Sequence, residues 1–148
     1  MNTLILISIF KRDLSRLQDE LQAYRDPVSI WKVGKGINNS AGNLTLHLLG
    51  NLNTYICAIL GSSGYERDRE REFSDKQVSR TLLLSQIDVL SGMIETVLQD
   101  LTAEDMQQQY PQLVLSEHST TGYFLTHLSA HLAYHLGQIT YHRRIFDF

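Results

Sequence analysis

The stretch His127-Leu-Ser-Ala-His131-Leu-Ala-Tyr-His135-Leu-Gly-Gln138 decides how the rest of the chain is read. As a helix, it places residues four apart one turn apart, about 6 Å along the axis and roughly 40° around it. His131 and His135 then point the same way, and two imidazoles at that spacing can bind one metal ion. Leu128, Leu132, Leu136 and Ile139 flank the pair, so it lies on or beside a buried face. The plain alternative is a pair of core-edge histidines satisfied by ordinary hydrogen bonds. A third histidine, His47, lies in a comparably apolar run, Asn43-Leu-Thr-Leu-His47-Leu-Leu-Gly-Asn51-Leu. Burying three polar rings in one small domain needs a compensating partner. Three histidines from two facing helices would leave part of a metal's coordination sphere free for water or substrate.

Helical spacing continues outward from this segment. Apolar residues recur at helical intervals between polar gaps, and both prolines, Pro27 and Pro111, fall in gaps. A first helix is expected over residues 2–24, with Leu4, Ile7, Leu14, Leu17 and Leu21 on one stripe and Asp26-Pro27 stopping it. A loop with Trp31, Gly34 and Gly36 follows, its indole expected to pack on the domain. Asn39-Ser40 can cap a second helix running to Leu60, with Gly61 as its stop. The run Glu66-Arg-Asp-Arg-Glu-Arg-Glu72 alternates in sign and is expected to be a solvated connection. Ser74-Asp75 can cap a third helix reaching about Leu101, marked by Val78, Leu82, Ile87, Leu90, Ile94 and Leu98. Residues 102–116 are polar and mixed, with a short strand or turn expected near 112–115. The last helix is expected from Ser119 or Thr120 to about Ile145.

Four helices of ~20–27 residues suit an all-α four-helix bundle, with the whole chain, 1–148, as one domain. The ~13-residue connections before and after the second helix exceed what tight antiparallel turns need, so a crossover connection has room. A chain of 148 residues can bury about 68–70% of its unfolded surface. A formal charge of −3 leaves no electrostatic footprint for nucleic acid. The apolar start, Leu4 to Phe10, is too short to span a bilayer and lacks the basic flank and cleavage site of a secretory signal. A cytoplasmic location with no membrane partner is therefore expected. The one cysteine, Cys57, excludes an intramolecular disulfide and any two- or four-cysteine metal site.

Spacing also limits the metal chemistry. No His-Glu-x-x-His occurs, so the helix-borne protease motif is absent. No Glu-x-x-His occurs either, against a ferritin-like di-iron centre. A mononuclear three-nitrogen site remains, and imidazole suits Zn²⁺, Ni²⁺, Fe²⁺ or Cu²⁺. One Zn²⁺ per chain is the default expectation, with Ni²⁺ as its competitor. His127, one turn before His131, is either a group behind the ligands or core, with core favoured. His142 is expected in solvent near the helix end, where a cation suits the macrodipole, and His118 on the surface. Asn43 and Asn51 flank His47 by one turn and can hydrogen-bond within the site or between helices. Tyr134 either lines a pocket or packs. Arg67, Arg69 and Arg71 are expected in solvent rather than on an anionic substrate. Cys57, about 15 Å along the helix from His47, is expected to be a buried thiol.

Two blocks carry a resemblance to a known family. Asn39-Ser-Ala-Gly-Asn-Leu-Thr-Leu-His47-Leu-Leu-Gly-Asn-Leu and His131-Leu-Ala-Tyr-His135-Leu-Gly-Gln-Ile139 are similar to the two histidine motifs of the DinB/YfiT-like superfamily of metal-binding four-helix bundles. The resemblance implies that His47, His131 and His135 are the metal ligands. It also implies an up-down-down-up bundle and a homodimer. Leu136 stands where that family usually has arginine, while Gly137 and Gln138 are retained. The glycine is expected at a close helix–helix contact, and the glutamine can orient a ligand. Characterised relatives include thiol S-transferases and a thiol-dependent isomerase. The leading expectation is thus a metal-dependent transferase joining a small thiol to a small electrophile. A metal-dependent hydrolase is the second enzymatic alternative, although only Glu95 or Asp88 on the third helix offers a carboxylate. A non-catalytic metal-binding or dimerisation protein is the third.

Overall fold

The structure, a computed structural model, describes residues 3–34 and 36–148. Asn2, expected to open the first helix, lies outside them. The described residues form helices and turns and no strand. Helix α1 (Thr3–Ala23) buries Leu6, Ile7, Phe10, Leu14, Leu17 and Leu21, a stripe at helical spacing. Leu4, expected on that stripe, is exposed. Asp26 caps the short 3₁₀ turn Pro27–Trp31 by accepting from the Val28 amide. The Trp31 indole lies against α2 at Gly42, where a Cβ would meet the ring at 2.5 Å. That close approach requires glycine.

Helix α2 (Ala41–Leu52) begins where the sequence places it, with Ser40 accepting from the Asn43 amide. It runs on through a π-helical turn, Asn53–Ala58. Thr54 and Asn53 side chains donate to the Gly50 and Leu49 carbonyls there. The charged run differs from expectation. Asp68 caps a short helix, α3 (Arg69–Ser74), which packs back onto α2. The next long helix, α4 (Arg80–Asp100), starts later than expected because Ser79, not Ser74 or Asp75, accepts from its first-turn amides.

Helix α4 is long and apolar enough to cross a membrane by length and composition. Its buried stripe of Leu83, Ile87, Leu90, Ile94 and Leu98 packs along α1 and α2. Residues 112–115 form no strand; a bridge joins Gln109 to Thr120 across that loop. Before it lies a short helix, α5 (Ala103–Gln107), closed by a reciprocal Thr102–Asp105 cap. Thr120 caps the last helix, α6 (Thr121–Phe146).

Among the described residues α1 packs on α4 and α6, and α2 packs on the same two. Leu48, Leu52, Leu128 and Leu132 are all essentially buried where α2 and α6 meet the core. Truncating one such leucine to alanine costs about 2–5 kcal/mol, and the two helices that carry the histidines, α2 and α6, pack directly on each other.

Candidate metal centre

The α2–α6 contact brings His47, His131 and His135 together. Their available ligand atoms lie within 4.8 Å of one another. The Nε2 atom of His131 is 3.4 Å from that of His47 and 3.1 Å from that of His135. Nitrogen ligands at about 2.0–2.1 Å from a tetrahedral ion stand roughly 3.4 Å apart. The spacing therefore suits one ion.

The second ring nitrogens show which way the lone pairs point. His47 Nδ1 is 3.1 Å from Glu72 Oε1 and 3.4 Å from Arg67 Nη2. The carboxylate is the nearer and can only accept, which assigns the Nδ1 proton to that bond, while Arg67 Nε and Nη2 are already bonded to Glu72. His135 Nδ1 likewise donates to Gln138 Oε1 at 2.7 Å. Both Nε2 atoms are then bare lone pairs aimed toward His131 Nε2. One N–H from His131 can satisfy only one of them, whereas a cation satisfies all three. The donor set fits a metal ion, and the carboxylate and amide behind it orient the two rings. Among the described residues, His131 Nδ1 and Asn51 Oδ1 are the buried side-chain polar atoms without a hydrogen-bond partner. Burial and the neighbouring His135 and His47 push the His131 imidazole down to about 4. Burial also lowers His135, against an opposing pull from its Gln138 hydrogen bond. The His131 ring thus stays neutral well into the acid range, as a metal ligand must be, and His135 is shifted in the same direction.

Glu72 is the residue that sequence reasoning missed. The sign-alternating run places it in solvent, yet it is 5% exposed and faces α2. Arg67 grips it with two bonds, Nε to Oε2 at 2.7 Å and Nη2 to Oε1 at 2.8 Å. Burial alone would raise the Glu72 carboxyl, but the bonds from Arg67 and His47 outweigh it and hold the group ionised. Arg67 itself lies against the Tyr55 ring at 5.8 Å. Gly50 makes the approach feasible, because a Cβ there would collide with Glu72 Oε2. Asn43 holds the same segment, donating to the Glu72 carbonyl at 2.9 Å and the Asp75 carbonyl at 2.7 Å. It is a positioning residue rather than a ligand. Arg69 and Arg71 remain exposed as expected.

Other expectations divide. His127 is exposed, not core; it stacks on Phe124 at 5.9 Å and on His131 at 6.5 Å between ring centroids. His142 is not in solvent but 2% exposed. Its Nε2 donates to the Lys32 carbonyl at 2.8 Å, so its Nδ1 accepts from the Tyr24 hydroxyl at 2.7 Å. Two satisfied nitrogens are what permit the burial. Gly137 makes no close contact, since a Cβ there meets nothing within 4 Å. Tyr134 is exposed and takes a bond from Gln138 Nε2 at 3.3 Å. Cys57 is buried as expected, and burial pushes its thiol up to about 11. Glu95 pairs with Lys11 on α1 at 2.8 Å and Asp88 is exposed, so neither serves the histidines.

A cleft of about 560 Å³ adjoins His135, between residues 36–39 and α6. The family model described as "Protein of unknown function (DUF1572)" matches residues 11–147. No curated protein matches the chain.

Proposed function

The chain belongs to the DUF1572 family, and from its three-histidine geometry we propose a DinB-like metal-dependent transferase that joins a small thiol to a small electrophile. The carrying observation is the convergence of three Nε2 atoms, two of them fixed as lone pairs by Glu72 and Gln138. His47, His131 and His135 would hold a divalent ion, Zn²⁺ or Ni²⁺, which would supply Lewis acidity for activating a thiol or water near neutral pH. The protein's own contribution is positional. Arg67 and Glu72 lock the His47 ring, Gln138 locks the His135 ring, and the cleft beside His135 admits a second reactant.

Hydrolysis ranks below thiol transfer because the one carboxylate at the site is already engaged. Both Glu72 oxygens accept from Arg67, and Oε1 also accepts from His47, leaving Glu72 poorly placed as a general base. The same proposal includes an up-down-down-up order of the four long helices, a cytoplasmic location and a homodimer. Leu82 and Val89, exposed on α4, are apolar surface that supports self-association. Light scattering would read the dimer as twice the chain mass.

The activity test is direct. Metal-loaded protein should accelerate conjugation of small thiols to 1-chloro-2,4-dinitrobenzene, a sulfur–carbon bond forming as chloride leaves. His131→Ala should return the rate to background. Equal rates for both proteins across a thiol panel would remove the transferase proposal.

A further inference from the structure

The cleft beside His135 differs chemically from the others on this molecule. The cleft between α2, α3 and α4 is lined by Glu66, Asp68, Arg71, Glu72 and Asp75 among others. The groove between α1 and α6 carries Arg12, Asp13, Arg16, Asp19 and Glu20. The His135 cleft has no lysine, arginine, aspartate or glutamate among its described lining residues. Its walls are apolar at Ile37, Leu44 and Ile145, and aromatic at Tyr134 and Tyr141. Asn38, Asn39 and Gln138 supply neutral amides. His142 reaches the lining with both nitrogens already used, so it offers only its ring edge. Arg144 lies over the Tyr141 ring at 5.5 Å but outside the lining.

Spacing on α6 gives the cleft a direction. Tyr134, Gln138 and Tyr141 recur at steps of four and three, so they share one helix face. The two phenol rings are attached about 10 Å apart along the axis, with the Gln138 amide between them. The first of them neighbours the His135 ring, 5.1 Å between centroids. A charged ligand would leave its hydration for described walls that present no charged side chain of their own, which is costly. A flat neutral ligand gains aromatic contact and finds amide partners. The volume, about 560 Å³, is that of a site for a small organic molecule.

We infer that this cleft seats the electrophilic co-substrate, an uncharged molecule with a flat apolar body and an amide- or hydroxyl-type hydrogen-bonding group. The identity of the occupant as a co-substrate rests on the metal-site function proposed above; the preference for a neutral flat ligand does not.

A matched trio separates the two: 2-naphthamide, 2-naphthoate and 2-naphthylmethylammonium. Binding is measured by calorimetry on chelator-treated protein, where a carboxylate has no ion to ligate, and metal stoichiometry is measured separately. The expected result is naphthamide binding about tenfold or more tighter than either charged analogue. Tyr141→Ala should weaken it about tenfold and Tyr141→Phe should restore it, since the ring rather than the hydroxyl makes the contact. Tyr141 is 64% exposed, so these variants should fold, with a metal stoichiometry equal to that of the parent chain. A charged analogue binding as tightly as the amide, or no loss in Tyr141→Ala, would overturn the inference. Amide preference in a chain that takes up no metal would keep the cleft and remove the transferase. Metal uptake without amide preference would do the reverse.

Discussion

The two walls of the site hold their histidines by opposite means. On the α2–α3 wall, His47 donates to a buried carboxylate that is itself clamped by a guanidinium. On the α6 wall, His135 donates to an exposed amide, whose nitrogen leans on an exposed phenol. Water can replace a lost amide at the surface, but it cannot cheaply neutralise a half-buried arginine left without its acid. The two rings are thus equally ligand-like in direction but unequally rigid. The α2–α3 wall is fixed scaffold, and the α6 wall is the side that opens onto the cleft.

Removing a ligand should have the largest effect. His131→Ala takes away the nitrogen common to both short Nε2 contacts, and metal uptake should fall from one ion per chain to none by elemental analysis. Next comes the carboxylate. Glu72→Gln keeps the shape of the side chain but removes its charge, and metal affinity should drop about 10–100-fold, read by competition with a chelator. Gly50→Ala touches no ligand, yet its Cβ must displace Glu72. Its loss should approach that of Glu72→Gln; unchanged affinity would show that the α2–α3 wall is not rigid. Gln138→Ala should have a smaller effect than either, because its partner faces solvent. An equal or larger effect there would erase the distinction between the walls.

The smallest effect is in pH. His131, His135 and His142 are all lowered, chiefly by burial. Folded protein therefore binds fewer protons than unfolded chain below the ordinary histidine value of about 6.5. Stability of the metal-free protein should be highest above that value. It should fall as the pH drops through the window down to about 4, where His131 protonates in the fold. Melting temperature against pH, with chelator present, reads this directly. A flat profile between those values would contradict the desolvation of the three rings.

The α6 segment was legible because everything it needs is local. Histidines at a spacing of four, leucines between them and a glutamine one turn on belong to a single helix, and helical periodicity alone aligns them. His47 needed only a second apolar helix. Glu72 was not legible by the same means, since its place depends on a short helix folding back on α2 and a charge run reads as solvated. A signal did exist in Gly50, three residues past His47 and directly after Leu48-Leu49, where a missing side chain marks a close approach. His142 was misplaced for a related reason. Its charged neighbours suggest solvent, whereas Tyr24 and Lys32, more than a hundred residues earlier, satisfy it in the core.

The central claim is that three convergent imidazole nitrogens hold one metal ion. X-ray absorption on the purified chain, paired with elemental analysis of the parent and of the His47→Ala, His131→Ala and His135→Ala variants, tests it most directly. The account predicts one divalent ion per chain with three imidazole nitrogens in its shell, lost or sharply reduced in each variant. A parent chain that takes up no divalent ion, or variants that bind it as well as the parent does, would contradict it.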